Sequence, residues 1–273
     1  MNYGETSNTI LDEETRREMR IIQIKLLDHL DAICKKHHIT YWLDFATLLG
    51  AYRYTTFMPV DDDIDVTIIG GDYKKFLAIA QAELPSTIFL QTNETDKTYT
   101  EGFAKLRDLN STFIAQTKVP GSYFGIYIDI FPSYEYPKLP SQIFKGLLYV
   151  TGHSWANAYY VVKKNVLLNK LVYFFCKIIW ILLSPFKARL YGQTPEDNWY
   201  YYAIPEQILF PLKEIEFEGK KYPAPAEPYK YLIKMYGKRC MEDMPMGEQI
   251  RRIHSAKIYP HLSYTDYVKL HKK

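Results

Sequence analysis

YWLDFATLLGAYRYTTFMPVDDDIDVTII, residues 41–69, sets Asp61, Asp62, Asp63 and Asp65 directly ahead of a β-branched apolar run. Residues 64–69 read as a buried strand. Carboxylates crowded at its mouth raise one another's pKa unless a cation or a partner sits between them. On a strand that starts near Asp63 side chains alternate, so Asp61, Asp63 and Asp65 share one face and Asp62 takes the other. Asp63 and Asp65 would stand about 7 Å apart along the strand and can converge on a hard divalent cation. Mg²⁺ in particular takes oxygen ligands together with substrate phosphates.

The flanking sequence supplies the surrounding elements. Upstream, residues 11–37 carry Met19, Ile22, Leu26, Leu30 and Ile33 at spacings of three and four, which predicts an amphipathic helix. ITYWLDF (39–45) reads as a short strand and ATLLGAYRY (46–54) as a short helix. After Gly70 and Gly71, DYKKFLAIAQAEL (72–84) returns to helical spacing. EGFAKLRDLNSTFIAQ (101–116) reads as strand, turn, strand, and GIYIDIF (125–131) alternates cleanly, with Pro132 expected to stop it. Interleaved helices and strands predict an α/β or α+β domain with a mixed sheet over residues 1–135.

Asp129 faces away from Ile126, Ile128 and Ile130, and a lone carboxylate in an apolar strand needs a partner. If its strand neighbours that of Asp63 and Asp65, three carboxylates meet and can hold magnesium against a diphosphate. Gly50, on the short helix facing the acidic strand, would let phosphate approach backbone N–H groups. Arg53, Lys105 and Arg107 are candidates to neutralise phosphate charge. The expected site thus comprises Asp63, Asp65 and Asp129 as metal ligands and catalytic groups, with Gly50, Arg53, Lys105 and Arg107 binding substrate.

Residues 136–200 differ in character. From Tyr136 to Pro195 there is no acid, yet Lys138, Lys145, Lys163, Lys164, Lys170, Lys177, Lys187 and Arg189 are basic. Setting those eight aside leaves 26 basic against 31 acidic residues, a mildly acidic body with a basic insert. The insert reads as helical, with Lys163, Lys170 and Lys177 forming one polar stripe on an otherwise apolar surface. That pattern suits either a buried helix or one lying on an anionic membrane surface. Its apolar run (166–183) is too interrupted for a spanning helix. In residues 201–273, EIEFEGKKYPAP reads as a hairpin around Gly219, followed by a helix over 228–236 capped by Gly237.

Cys34, Cys176 and Cys240 are too few and scattered for a disulfide framework or a cysteine zinc site, which fits a reducing cytoplasm. The first residues lack the pattern of a signal peptide. Nucleic acid is disfavoured as a partner, because the basic residues sit in an apolar insert rather than beside the acidic site.

YWLDFATLLGAYR, FMPVDDDIDV, FAKLRDLNSTFI, GIYIDIFP, FEGKKYPAP and YLIKMYG, in this order, resemble the LicD family. That family comprises bacterial phosphorylcholine transferases and the fukutin-type proteins of animals. The resemblance runs over residues 20–260 and is thin in the insert. It implies an α+β, nucleotidyltransferase-like fold with a mixed β-sheet core and flanking helices. It also implies Mg²⁺-dependent transfer of a phospho-alcohol from a CDP-linked donor to a sugar hydroxyl. The acceptor would be a teichoic acid or other surface glycan, lipid-linked, at the inner face of the cytoplasmic membrane. The family's glycine and Asp-x-Asp elements fall on Gly50, Asp63 and Asp65, and its later strand carboxylate on Asp129. Departures occur at Val60, at YTTFMP and at Tyr236–Lys238, and none removes a proposed ligand. Two other readings share these residues: nucleotidyl transfer to a small acceptor, and a non-catalytic membrane-associated assembly protein.

Overall fold

The computed structural model describes residues 12–59, 61–99, 101–115, 123–137, 174, 178, 181–182, 185–192, 203–243 and 256–271. The strand entered by the acidic run is β2 (Asp65–Ile69), which pairs antiparallel with β1 (Tyr41–Leu43) and parallel with β6 (Tyr127–Pro137). Antiparallel β4 (Ala104–Asp108) and β3 (Ile88–Gln91) complete the order β1-β2-β6-β4-β3. The far end of β6 pairs with β7 (Lys187–Gly192), and β7 with β8 (Ile204–Pro205). β5 (Thr112–Ala115) leaves this sheet to pair with β11 (Ala256–Tyr259), while β9 (Lys213–Phe217) and β10 (Lys220–Ala224) form a hairpin. Helices α1 (Glu13–His37), α2 (Phe45–Tyr54), α3 (Gly70–Glu83), α4 (Glu206–Leu209), α5 (Pro228–Tyr236) and α6 (Tyr264–His271) make this an α+β fold with a mixed sheet.

Alternation along the strands gives the sheet two unlike faces. Val66, Ile68, Ile88, Leu90, Ala104, Leu106, Ile128 and Ile130 are buried on one, in a core shared with Leu26, Leu27 and Leu30 of α1 and Phe76 and Ala80 of α3. The residues between them, Asp65, Thr67, Gln91, Lys105, Arg107, Tyr127 and Asp129, form the other face, and that face carries the chemistry.

α1 begins where Asp12 accepts a hydrogen bond from Thr15 N (2.8 Å), an N-cap that supplies one of the helix's unmatched donors. Pro132 does not stop β6, which continues to Pro137. Asp129 N donates to Ile64 O in the parallel ladder, so the amides of even-numbered residues face β4. Because β4 ends at Ala104 opposite Ile130, the N–H that Pro132 lacks would have no ladder partner among the described residues.

The expected hairpin around Gly219 is present, with Glu218 and Gly219 both at positive φ (50° and 73°), the geometry of a two-residue turn. Its tip docks on α2, where Glu218 N donates to Thr55 O (2.9 Å). Leu209, Phe217, Tyr222 and Leu232 join the core of the first 135 residues, so residues 203–236 pack as part of the same body. Gly237 ends α5 at φ 77°. Most of the basic insert, including Lys163, Lys170 and Lys177, lies outside the described residues. No helix among the described residues is long and apolar enough to cross a membrane.

Candidate active site

The parallel register aligns Asp65 with Asp129, and the antiparallel register aligns Asp129 with Lys105 and Lys105 with Gln91. Four neighbouring strands thus place carboxylate, carboxylate, ammonium and amide in one row. Asp63 joins from the segment before β2, and carboxylate oxygens of Asp63, Asp65 and Asp129 lie within 4.8 Å of one another. A second group, Asp61, Asp62 and Asp63, is equally close, so Asp63 belongs to both. The alternation expected from Asp61 onward holds only from Asp65, because residues 61–64 are irregular rather than strand.

That irregular segment is pinned by α1. Gln23 Nε2 donates to Asp62 O (2.7 Å) and Tyr127 O (3.4 Å), while Arg20 donates to Met58 O (3.1 Å) and Arg16 to Pro59 O (3.3 Å). The start of α2 holds Asp65 in turn. Asp44 N donates to Asp65 O (3.0 Å), and Asp65 N donates to Thr47 Oγ1 (2.9 Å). The Asp44 side chain caps α2 through Phe45 N (2.7 Å) and accepts from Thr67 Oγ1 (2.6 Å) and from Tyr231 Oη of α5 (2.9 Å). Burial pushes the Asp44 carboxyl up to about 6, against the pull of these hydrogen bonds.

The metal-free acids repel. Burial first and then Asp63 and Asp62 raise the Asp61 pKa well above the carboxylate range; burial followed by Asp63 and Asp129 does the same for Asp65. Burial also raises Asp129, outweighing its ion pair with Lys105. One buried oxygen of Asp61 has no hydrogen-bond donor. An all-oxygen donor set of this kind, crowded, buried and with an unsatisfied lone pair, fits a hard divalent cation.

Lys105 bonds Asp129 and sits 3.9 Å from the Tyr127 ring centroid and 4.9 Å from that of Phe103. Arg107 lies on the same face, with Nε donating to Gln91 Oε1, Nη1 donating to Gly125 O (2.8 Å) and the guanidinium 4.8 Å from the Tyr127 ring centroid. Arg53 binds Cys240 O (3.2 Å), Glu242 O (3.0 Å) and Asp243 (2.5 Å), tying α2 to the segment after α5. Gly50 is buried where a Cβ would stand 2.5 Å from Thr56 O and 2.7 Å from Met58 N; its smallness serves packing of α2 on that loop. The structure therefore brings Asp63, Asp65, Asp129 and Lys105 together, while Arg107, Arg53 and Gly50 make contacts within the protein.

Gln23, Asp44, Thr47 and Glu101 escaped the reading of the sequence. Gln23 had a signal, a polar residue on the apolar stripe of α1, and is fully buried. Asp44, between strand and helix, reads as an ordinary cap. Glu101 is half-buried within electrostatic reach of Lys105 and Asp129, and burial raises its pKa.

Residues 38–144, which contain this site, match the family described as LicD/FKTN/FKRP, nucleotidyltransferase domain. Over 242 residues the chain is 26% identical to the lipopolysaccharide cholinephosphotransferase LicD of Haemophilus influenzae, covering 82% of this chain and 90% of that protein. An uncharacterized protein of Rickettsia prowazekii is 30% identical over 69 residues, 23% of this chain and 26% of its own length. One from Rickettsia typhi is 32% identical over 76 residues, 26% of this chain and 25% of its own.

Proposed function

We propose that this chain, whose residues 38–144 match the LicD/FKTN/FKRP nucleotidyltransferase domain, is a phosphotransferase that moves a phospho-alcohol, phosphocholine foremost, from a CDP-linked donor to a sugar hydroxyl of a surface-glycan precursor. The observation that carries this reading is the meeting of Asp63, Asp65 and Asp129 within 4.8 Å on the polar face of the sheet, beside Lys105. The likeness to a cholinephosphotransferase over most of both chains supports the choice of transferred group.

Asp63, Asp65 and Asp129 would hold one or two Mg²⁺, with Asp61 and Asp62 completing the second set. Bound there, the cation supplies charge neutralisation for the diphosphate and the departing CMP. Lys105 orients Asp129 and opposes, without cancelling, the rise that burial gives its pKa. Glu101, raised by burial, is suited to accept the proton of the attacking hydroxyl. The protein would work at the inner face of the cytoplasmic membrane. Exposed Ile178, Leu182 and Phe186, in the acid-free stretch, support contact with lipid there.

Incubation with CDP-choline, CDP-ribitol or CDP-glycerol and a glycan acceptor, with and without Mg²⁺, tests the reaction. Mg²⁺-dependent release of CMP with transfer of the phospho-alcohol supports it. Release of pyrophosphate from a nucleoside triphosphate would favour nucleotidyl transfer instead.

A further inference from the structure

The alternation of β6 that brings Asp129 to the polar face of the sheet brings Tyr127 there as well, two residues earlier on the same strand. Arg107 stands opposite it on β4. Asp63 foremost, then Asp129 and Asp62, lie within electrostatic reach of its hydroxyl. Tyr127 thus borders the acid cluster directly.

The ring is held from several sides. Lys105 Nζ, which bonds Asp129, sits 3.9 Å from the Tyr127 ring centroid, and the Arg107 guanidinium lies 4.8 Å from it. Phe113 meets the ring edge-on at 5.1 Å between centroids, and the Tyr127 carbonyl accepts from Gln23 Nε2 (3.4 Å). The hydroxyl, by contrast, makes no hydrogen bond among the described residues. Buried side-chain atoms without a partner are there Arg20 Nε, Gln23 Oε1, Asp61 Oδ2 and Tyr99 Oη; the unpartnered hydroxyl of half-buried Tyr127 is not enclosed with them and is open to solvent. Three carboxylates surround a donor that none of them uses.

The phosphotransferase reaction supplies an acceptor for it. A diphosphate drawn to a cation at Asp63, Asp65 and Asp129 brings non-bridging oxygens that also need protein donors. A phenol suits this position better than a cation does. An ammonium or guanidinium beside Asp63 would pair with it as Lys105 pairs with Asp129, and would compete with the metal for that ligand. A neutral hydroxyl offers a hydrogen bond without adding charge, and on a ring already fixed by its neighbours it loses little freedom when it binds.

We propose that Tyr127 Oη donates a hydrogen bond to a non-bridging phosphate oxygen of the nucleoside-diphosphate donor, making Tyr127 a substrate-binding residue. The assignment rests on the phosphotransferase reading and specifies which protein group, besides the cation, recognises the diphosphate.

Titration calorimetry with Mg²⁺ alone, and with pyrophosphate in the presence of Mg²⁺, on wild type and Tyr127→Phe tests it whatever alcohol the donor carries. The variant keeps the ring against Lys105, Arg107 and Phe113, so Tm and Mg²⁺ affinity should be unchanged, while pyrophosphate binds about 10-fold more weakly. Equal pyrophosphate affinity in the two proteins would overturn the role of Tyr127 and leave the phosphotransferase reading standing. A variant that loses Mg²⁺ affinity to the same extent would also overturn it, because the hydroxyl would then act on the acids rather than on the diphosphate. A folded wild type that takes up Mg²⁺ but not pyrophosphate would overturn both.

Discussion

At the scale of single residues, the site is a balance of buried charges, and the Lys105–Asp129 pair carries much of it. Both side chains are 9% exposed, so removing the ammonium leaves a carboxylate with neither water nor counter-ion. Lys105→Met should therefore destabilise the metal-free protein by about 3–5 kcal/mol, read from denaturant unfolding, and Mg²⁺ should restore part of the loss. Asp65 and Asp129 were legible in the sequence because strand alternation fixes which face a residue takes, and a carboxylate on an apolar strand is conspicuous. The roles of Gln23 and Asp44 were not. Each acts on a segment distant in sequence, Gln23 on Asp62 O and Asp44 on Tyr231, and pairing of that kind leaves no local pattern. Arg53 and Arg107 show the converse, since a cation in a motif looks the same whether it meets a ligand or the protein's own carbonyls.

At the scale of elements, α2 is the hub. Its N-terminus holds Asp65 through Asp44 N and Thr47, its C-cap receives the β9–β10 tip, and Arg53 ties it to the chain after α5. Gly50 lets its middle close on residues 56–58, the approach to the acidic run. Gly50→Ala must push backbone atoms apart and should cost about 1–3 kcal/mol, with weaker Mg²⁺ binding because Asp61–Asp63 follow directly from that loop. Thermal melts and metal titration on the same variant check both halves. Most elements were readable from periodicity and turn residues, including the Gly219 hairpin. The course of β6 past Pro132 was not, because whether a proline breaks a strand depends on what lies opposite, and the end of β4 is a fact of tertiary structure.

At the scale of the whole molecule, the acid cluster trades stability for function. Asp61, Asp65 and Asp129 have raised pKa values, and Asp44 is pushed up to about 6. In the window from the unfolded carboxylate value upward, the folded state therefore holds more protons than the unfolded one, and stability falls as pH rises. Measured against Asp65→Asn, the metal-free wild type should lose Tm between about pH 4 and 7, and Mg²⁺ should cancel most of that loss. A wild type that gains stability over the variant in that window would refute the electrostatics. The central claim is most directly tested by titrating CDP-choline into the protein with and without Mg²⁺, beside the Asp63→Ala, Asp65→Ala double variant. Mg²⁺-dependent binding that disappears in the folded double variant is the expected result. Binding of the same strength without Mg²⁺, or undiminished binding in the double variant, would contradict it.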